Sequence, residues 1–366
     1  MKLIMAGGGT GGHLFPALAL AEEFRARDAG IGITFIGAKG GIEEKAVPKR
    51  GYPLMLLNIE GIKRVRGLRR AAAVWKAFIS TIRAFWILRS LRPEGVIGSG
   101  SYSSAPVVIA AWLLGIKTAI LEQNALPGLT NKALGRLADR VYVSFAEARG
   151  YFPARRTVLA GNPVRKEILR RRAEKTFRRG ERFTILVFGG SQGATALNAA
   201  FLDAAEYLSD IWPGLRVIHQ TGEEGFLAAR ASYGRKELKA EVFKFIDDMA
   251  DMYLAADLCV CRAGATSIAE ITATGIPSIL IPYPFAADNH QEVNARSLEN
   301  AGASVMIRQE RLTGRSLADA IRRLYEKPQE LKTMSGKARA LGRREAASVI
   351  AEDFLRLISG KNIGKE

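Results

Sequence analysis

LIMAGGGTGGHLFPALALAEEF, from Leu3 to Phe24, is an apolar run closed by glycines that opens at once into a helical pattern. TILVFGGSQGATALNAAF, from Thr184 to Phe201, repeats the plan half a chain later. A strand, a tight glycine turn and a helix N-terminus together make an anion cradle, because N–H groups without an intrahelical acceptor and the helix dipole point the same way. Two cradles predict two nucleotide-type halves sharing a cleft, and 366 residues are ample for two α/β domains but many for one core.

Outward from these loops, strand-like and helix-like segments alternate. KLIMAG, ITFIGA, GVIGSG, TAILEQ, RVYVSF and TVLAG read as strands in the first half, and TILVFGG, LRVIHQTG, AEVFKFI, LCVCRAG, PSILIPY and ASVMI in the second. Helical patterns between them argue a parallel sheet in each half with helices on both faces. The Arg- and Lys-rich stretch GNPVRKEILRRRAEKTFRRGER, residues 161–182, has no strand character and marks a linker. The expected domains are 1–162 and 163–343, with a final helix in 344–366 packing back on the first.

The chain carries 54 Lys and Arg against 36 Asp and Glu, a formal net charge of +18, which implies an anionic partner: nucleic acid, membrane lipid or a phosphorylated substrate. No helix-turn-helix, zinc or RNA-binding signature accompanies that charge, so nucleic acid is not expected. Cys259 and Cys261, the only cysteines, sit two apart in an apolar run and read as reduced core thiols. The N-terminal apolar run is too short for a signal peptide. The longest, APVVIAAWLLGI, stops at Lys117, short of the ~20 residues that span a bilayer, so a cytoplasmic chain is expected.

GGGTGGH places Gly7, Gly9 and Gly12 in dinucleotide-fingerprint spacing, but the next strand runs into Ala38 and Lys39 with no ribose-binding acid, which weighs against NAD. No GxxxxGK follows either, so P-loop chemistry is excluded. His13 ends the loop with Pro16 expected in the helix's first turn. There the dipole disfavours a protonated ring, and His13 is a general-base candidate as well as a plain loop cap. In the second half CRAGATSIAE opens another helix after a strand. Its Ala265, Thr266 and Ser267 let a ligand approach the amides, and Glu270, one turn on, can hold ribose hydroxyls. DNHQEVNA adds Asp288, His290, Gln291 and Asn294, side chains suited to a sugar. The chain has no Asp-x-Asp, so a metal-chelated diphosphate is not expected and helix N-termini plus Arg would take the charge.

GGTGGH, GSY at Gly100 to Tyr102, EQN at Glu122 to Asn124, GLTNK, GNPVR ending at Arg165, GGSQGA with Ser191, FIDDM, CRAGATSIAE and HQEVNA occur in an order that resembles the MurG family. These are N-acetylglucosaminyltransferases that convert lipid I into lipid II in peptidoglycan synthesis. The resemblance implies an α/β GT-B fold, two Rossmann-like doubly wound parallel-sheet domains facing a central cleft. It implies a β-1,4 transfer from UDP-GlcNAc to the 4-hydroxyl of the MurNAc of undecaprenyl-linked lipid I, inverting, with no cofactor and no obligatory metal. Carried across by motif, His13 is the base and Glu122 the second candidate. Thr10, Gly11, Gly12, Asn124, Arg165, Ser191, Phe245, Ile246, Ala265, Thr266, Ser267, Ile268, Ala269, Glu270, Gln291 and Asn294 face the donor, with Ile246 holding uracil through its backbone. Gly9, Tyr102 and Asn124 face the acceptor. Leu121 stands where the family often has His, and Ser101 where Gly often precedes the Tyr. A glycolipid glycosyltransferase or sugar-nucleotide epimerase of the same fold is the alternative.

IKRVRGLRRAAAVWKAFISTIRAFWILRSLRP, from Ile62 to Pro93, mixes nine Lys and Arg with Trp75, Phe78, Ile79, Ile82, Phe85, Trp86 and Leu88 and holds no acid. It reads either as a core helix with a solvated basic face or as a helix lying on an anionic leaflet. A polyprenyl-linked acceptor favours the second. The expected location is peripheral, on the cytoplasmic face of the inner membrane, with cell-wall synthesis proteins as further partners.

Overall fold

The computed structural model describes residues 1–59, 68–170, 182–190 and 193–360, with the side chains of 68–74 left aside. The chain divides into two compact units, Met1–Arg165 with Arg344–Glu366, and Lys166–Arg343. The break falls after Arg165, so Pro163, Val164 and Arg165 belong with the first unit.

Among the described residues the first unit holds seven strands: β1 (Lys2–Ala6), β2 (Gly32–Ala38), β3 (Leu54–Leu57), β4 (Gly95–Gly98), β5 (Lys117–Glu122), β6 (Arg140–Val143) and β7 (Thr157–Leu159). They form one parallel sheet in the order β3-β2-β1-β4-β5-β6-β7. Successive residues of a strand face opposite sides, so β1 feeds two cores. Leu3 and Met5 join Phe24, Phe35, Tyr142 and Phe354 on one side, and Ile4 and Ala6 join Ile36, Val96, Val107 and Leu88 on the other. β3 is a strand the sequence reading omits. It is a four-residue edge with Met55 and Leu56 exposed, so it shows neither alternation nor a continuous buried run.

The helix Ala346–Ser359 sets Ile350, Ala351 and Phe354 into this unit's core, and Asp353 accepts from Arg140 Nε (3.1 Å) and Tyr142 Oη (2.8 Å). Gly95 is what admits it, since a Cβ there would lie 2.7 Å from the Phe354 ring.

The second unit carries β8 (Phe183–Phe188), β9 (Leu215–Gln220), β10 (Glu241–Phe243), β11 (Leu258–Cys261), β12 (Ser278–Leu280) and β13 (Ser304–Met306). They run parallel in the order β10-β9-β8-β11-β12-β13. Cys259 and Cys261 are buried free thiols of β11. Both sheets reverse direction of winding beside their first strand, at β1/β4 and at β8/β11. Crevices for ligands open at such switch points, outside the carboxyl ends of the strands.

Candidate active site

In the first unit the carboxyl ends of β1, β4 and β5 bring together residues far apart in the chain. The helix after β1 is Gly11–Arg27, with Thr10 as N-cap and His13 in the first turn. Because it starts at Gly11, Pro16 falls in the second turn, not the first as expected, and brings no N–H to the carbonyl of Gly12. His13 Nδ1 lies 3.0 Å from the Ser99 carbonyl and 3.2 Å from Gln123 Oε1. Both oxygens can only accept, so Nδ1 carries the ring proton and Nε2 holds the lone pair. Gly100, φ +88°, makes this approach possible: a Cβ there would sit 2.8 Å from Nδ1. Tyr102, partly exposed, stands against Gly9, its Oη 3.8 Å from where a Cβ of Gly9 would be.

The first glycine turn is not the open anion cradle that its sequence suggests. Glu43, wholly buried, lies inside it: Oε2 accepts from Gly9 N (2.8 Å) and Oε1 from Ala38 N (2.9 Å). Gly8, Gly37 and Gly41 surround that side chain so closely that a Cβ on Gly8 or Gly41 would lie 2.2 Å from a carboxyl oxygen and one on Gly37 would lie 2.6 Å from Cγ. A buried negative charge opposes a phosphate in this turn, and Glu43, bonded to backbone from within, cannot take a dinucleotide's ribose. Sequence reasoning missed Glu43 because it sits on the short helix Glu43–Lys49, five residues past the end of β2. The one available signal was the glycines at 37, 40 and 41 leading into an acid.

Glu122, at the end of β5, is 2% exposed, and burial raises its pKa against the hydrogen bonds that lower it. Oε1 accepts from Asn124 N (3.0 Å) and Nδ2 (3.3 Å), and Oε2 from Asn131 Nδ2 (2.8 Å). Both oxygens of this group are thus engaged by Asn124 and Asn131. The two departures from the family pattern have separate accounts. Leu121 points into the core, so no ligand contact depends on it. Ser101 adopts φ +67°, a left-handed conformation glycine adopts without strain, with its Oγ bonded to Ser103 Oγ and N–H. Arg165 lies over the Phe15 ring at 5.4 Å, within the first unit.

The second unit gathers the remaining expected residues at the carboxyl ends of β8 to β12. Ser191 lies outside the described residues. Gln220 donates to the Gly190 carbonyl (2.9 Å) and accepts from Ile246 N (3.0 Å), which joins the second glycine turn to the FIDDM segment. The N–H of Ile246 is thereby used, and Phe245 is half-exposed beside it. The helix Ala265–Thr274 has Gly264 as N-cap and no side-chain cap, so its first N–H groups keep their anion-binding geometry. Just before it, Arg262 is buried, its guanidinium bonded to the neutral oxygens of Ile281, Pro282 and Gln309. That cation adds to the dipole's positive potential. Glu270, 5% exposed, takes the Tyr253 hydroxyl on Oε2 (3.0 Å). Thr266, Ser267 and Ala269 are part-exposed on this helix and Ile268 is buried. Gln291 Oε1 accepts from Tyr283 N (3.0 Å), and Asn294, wholly buried, donates to the Ala263 carbonyl (3.3 Å).

The helix Leu68–Leu91 has two apolar faces. Ala84 and Leu88 enter the core, while Trp75, Phe78, Ile82 and Trp86, spaced to form one stripe, are exposed, both Trp at 63%. Arg83 and Arg89 are exposed beside the stripe, and Trp112 and Leu113 are exposed at the end of Ser104–Leu113. Lys63, Arg64 and Arg66 lie outside the described residues. Among the described residues no helix is long and apolar enough to cross a membrane.

Two family models match the two sheets: the glycosyltransferase family 28 N-terminal domain over residues 3–143 and its C-terminal domain over 184–352. A UDP-N-acetylglucosamine–N-acetylmuramyl-(pentapeptide) pyrophosphoryl-undecaprenol N-acetylglucosamine transferase of Syntrophus aciditrophicus is 49% identical over 360 residues, 98% of this chain and 99% of that one. The transferase of the same name from Myxococcus xanthus is 48% identical over 352 residues, 96% of this chain and 92% of the relative. The crystal structure of Acinetobacter baumannii MurG superposes with a TM-score of 0.79 at 30% identity, covering 97% of this chain and 99% of that one. With paired Rossmann-like sheets, a histidine base candidate in one unit and an uncapped helix N-terminus in the other, the chain belongs to the MurG family of N-acetylglucosaminyltransferases.

Proposed function

We propose that the chain transfers N-acetylglucosamine from UDP-GlcNAc to the 4-hydroxyl of the N-acetylmuramic acid of undecaprenyl-linked lipid I, giving lipid II in one inverting displacement. His13 Nε2 takes the proton of the acceptor hydroxyl. The acceptor oxygen bonds to C1 of the donor sugar as the bond from C1 to the UDP oxygen breaks, and the electron pair leaves on the β-phosphate. The N-terminus of Ala265–Thr274, with Arg262 behind it, stabilises that charge without a divalent ion, and Arg165 and Ser191 assist. Glu270 holds the ribose, the Ile246 carbonyl and Phe245 the uracil, and Gln291 and Asn294 the sugar's side of the pocket. Thr10, Gly11 and Gly12 complete the donor side. Gly9, Tyr102 and Asn124 meet the acceptor, with Glu122 holding Asn124 in place.

The observation that carries this reading is the His13 ring, whose Nδ1 faces two oxygens that only accept. The test is transfer of labelled GlcNAc to a short-chain lipid I analogue, with and without chelator. His13→Ala should lower turnover by about 10²–10⁴-fold with UDP affinity nearly unchanged. Unchanged turnover overturns the assignment, and loss of wild-type activity in chelator overturns the metal-free mechanism.

The exposed Trp75, Phe78, Ile82 and Trp86 stripe with its flanking Arg supports a docking face for the anionic, cytoplasmic leaflet in which a polyprenyl acceptor lies. Binding to anionic vesicles that weakens with salt is expected. Binding indifferent to salt and lipid charge would count against it.

A further inference from the structure

We propose that Gln123 is a positioning residue that, together with the Ser99 carbonyl, sets the tautomer of His13. The inference rests on His13 being the base, and it goes beyond that reading by naming what makes Nε2 the basic nitrogen.

Gln123 is 1% exposed, immediately after β5, and its amide makes two contacts. Nε2 donates to the Ser99 carbonyl at 2.8 Å, and Oε1 faces His13 Nδ1 at 3.2 Å. The orientation of that amide follows from its surroundings. A flipped amide would set its oxygen against the Ser99 carbonyl oxygen at that same spacing with no proton between them, a repulsion in a buried site. The backbone carbonyl therefore orients the amide, and the amide then presents an acceptor to the imidazole. The same Ser99 carbonyl accepts from His13 Nδ1 at 3.0 Å with its second lone pair. All three groups close a small ring of hydrogen bonds in which both oxygens facing Nδ1 are acceptors, so the arrangement fits the Nδ1–H tautomer.

The chemistry of the amide matters as much as its place. A carboxylate here would also hold Nδ1–H but would favour the protonated ring, which cannot act as a base. A neutral amide selects the tautomer and brings no charge. Gly100 belongs to the same device, because any side chain there would push the ring away from both oxygens.

The chain has only three histidines, His13, His219 and His290, so ¹⁵N-histidine labelling of the full-length protein reads the ring directly. Near pH 8 the neutral His13 signal, assigned by its loss in His13→Asn, should show Nδ1 protonated and Nε2 bare. In Gln123→Met, where the Ser99 carbonyl still accepts from Nδ1, the Nδ1–H to Nε2–H ratio should fall about two- to fivefold, the worth of the weaker arm of a shared hydrogen bond. Turnover should fall by a similar factor with the KM for UDP-GlcNAc unchanged, and UDP binding in that variant checks that the protein is folded. A wild-type ring protonated on Nε2 overturns the proposal without needing any variant. So does a Gln123→Met protein with wild-type tautomer and turnover while His13→Ala is inactive. If His13→Ala is fully active, the base assignment fails instead, and the two failures are distinguishable.

Discussion

Glu43→Gln keeps the volume of the side chain but replaces one of its two accepting oxygens by an NH₂ group. Gly9 N and Ala38 N donate to the carboxylate at 2.8 and 2.9 Å, so one of them must face a donor in the variant. The loss is one hydrogen bond to a charged group, worth about 1.5–3 kcal/mol, together with an N–H left unpaired in a fully buried site. A destabilisation of about 2–4 kcal/mol follows, and a unit of this size loses roughly 2–4 °C of melting temperature per kcal/mol. Calorimetry should show a transition lowered by about 5–15 °C. His13 follows Gly9 by four residues on the same turn, so turnover should fall too. The KM for UDP-GlcNAc should change less than about twofold if the donor is held mainly by the second unit, as proposed above. A melting temperature and turnover both indistinguishable from wild type would refute the reasoning that this carboxylate holds the turn.

Three further outcomes are expected. Gly100→Ala places a methyl 2.8 Å from His13 Nδ1 at a positive φ, and should cost about 10²-fold in turnover with UDP binding intact; normal turnover would show the ring needs no such approach. Trp75→Ala with Trp86→Ala removes two largely exposed rings, each able to bury about 100 Å² in a bilayer for roughly 2.5 kcal/mol, so vesicle partitioning should drop more than about a hundredfold at unchanged melting temperature. An unaltered partition coefficient would move the membrane face elsewhere. His219 is wholly buried, bonded to Tyr233 and Asn198, and burial pushes its pKa down to about 3. The unfolded chain takes up that proton below about 6.5 while the folded one does not, so stability is full above that pH and falls as pH drops toward 3. Urea midpoints across this window should slope less steeply in His219→Gln, and equal slopes would rule the residue out as the source.

Much of the candidate site's local structure was legible because its signals are local. Gly264 and Ala265 open a helix after an apolar strand, and that arrangement needs only neighbours in sequence to be read as a candidate anion site. The EQN, FIDDM and HQEVNA segments each end a strand or open a helix, which is where a parallel sheet puts ligand contacts. β3 escaped notice because a short edge strand with exposed residues has no pattern to show, and Pro16 was misplaced by one turn because helix ends are weakly marked when no side chain caps them.

Roles within the site were another matter. Glu122 reads from sequence as a second base candidate, and only the structure shows it buried and bonded to Asn124 and Asn131. The sequence by itself determined the two glycine turns, the alternation that makes two parallel sheets and the motif order that marks the family, since each follows from residues within one strand-turn-helix unit. The tertiary structure decided the rest. It placed Glu43 beneath the first turn, set the His13 ring against partners 86 and 110 residues away, and gave the helix Leu68–Leu91 both a core face and an exposed one. The physical reason is that protonation, tautomer and burial depend on which atoms lie within about 3 Å, and those atoms come from distant strands that only sheet pairing brings together.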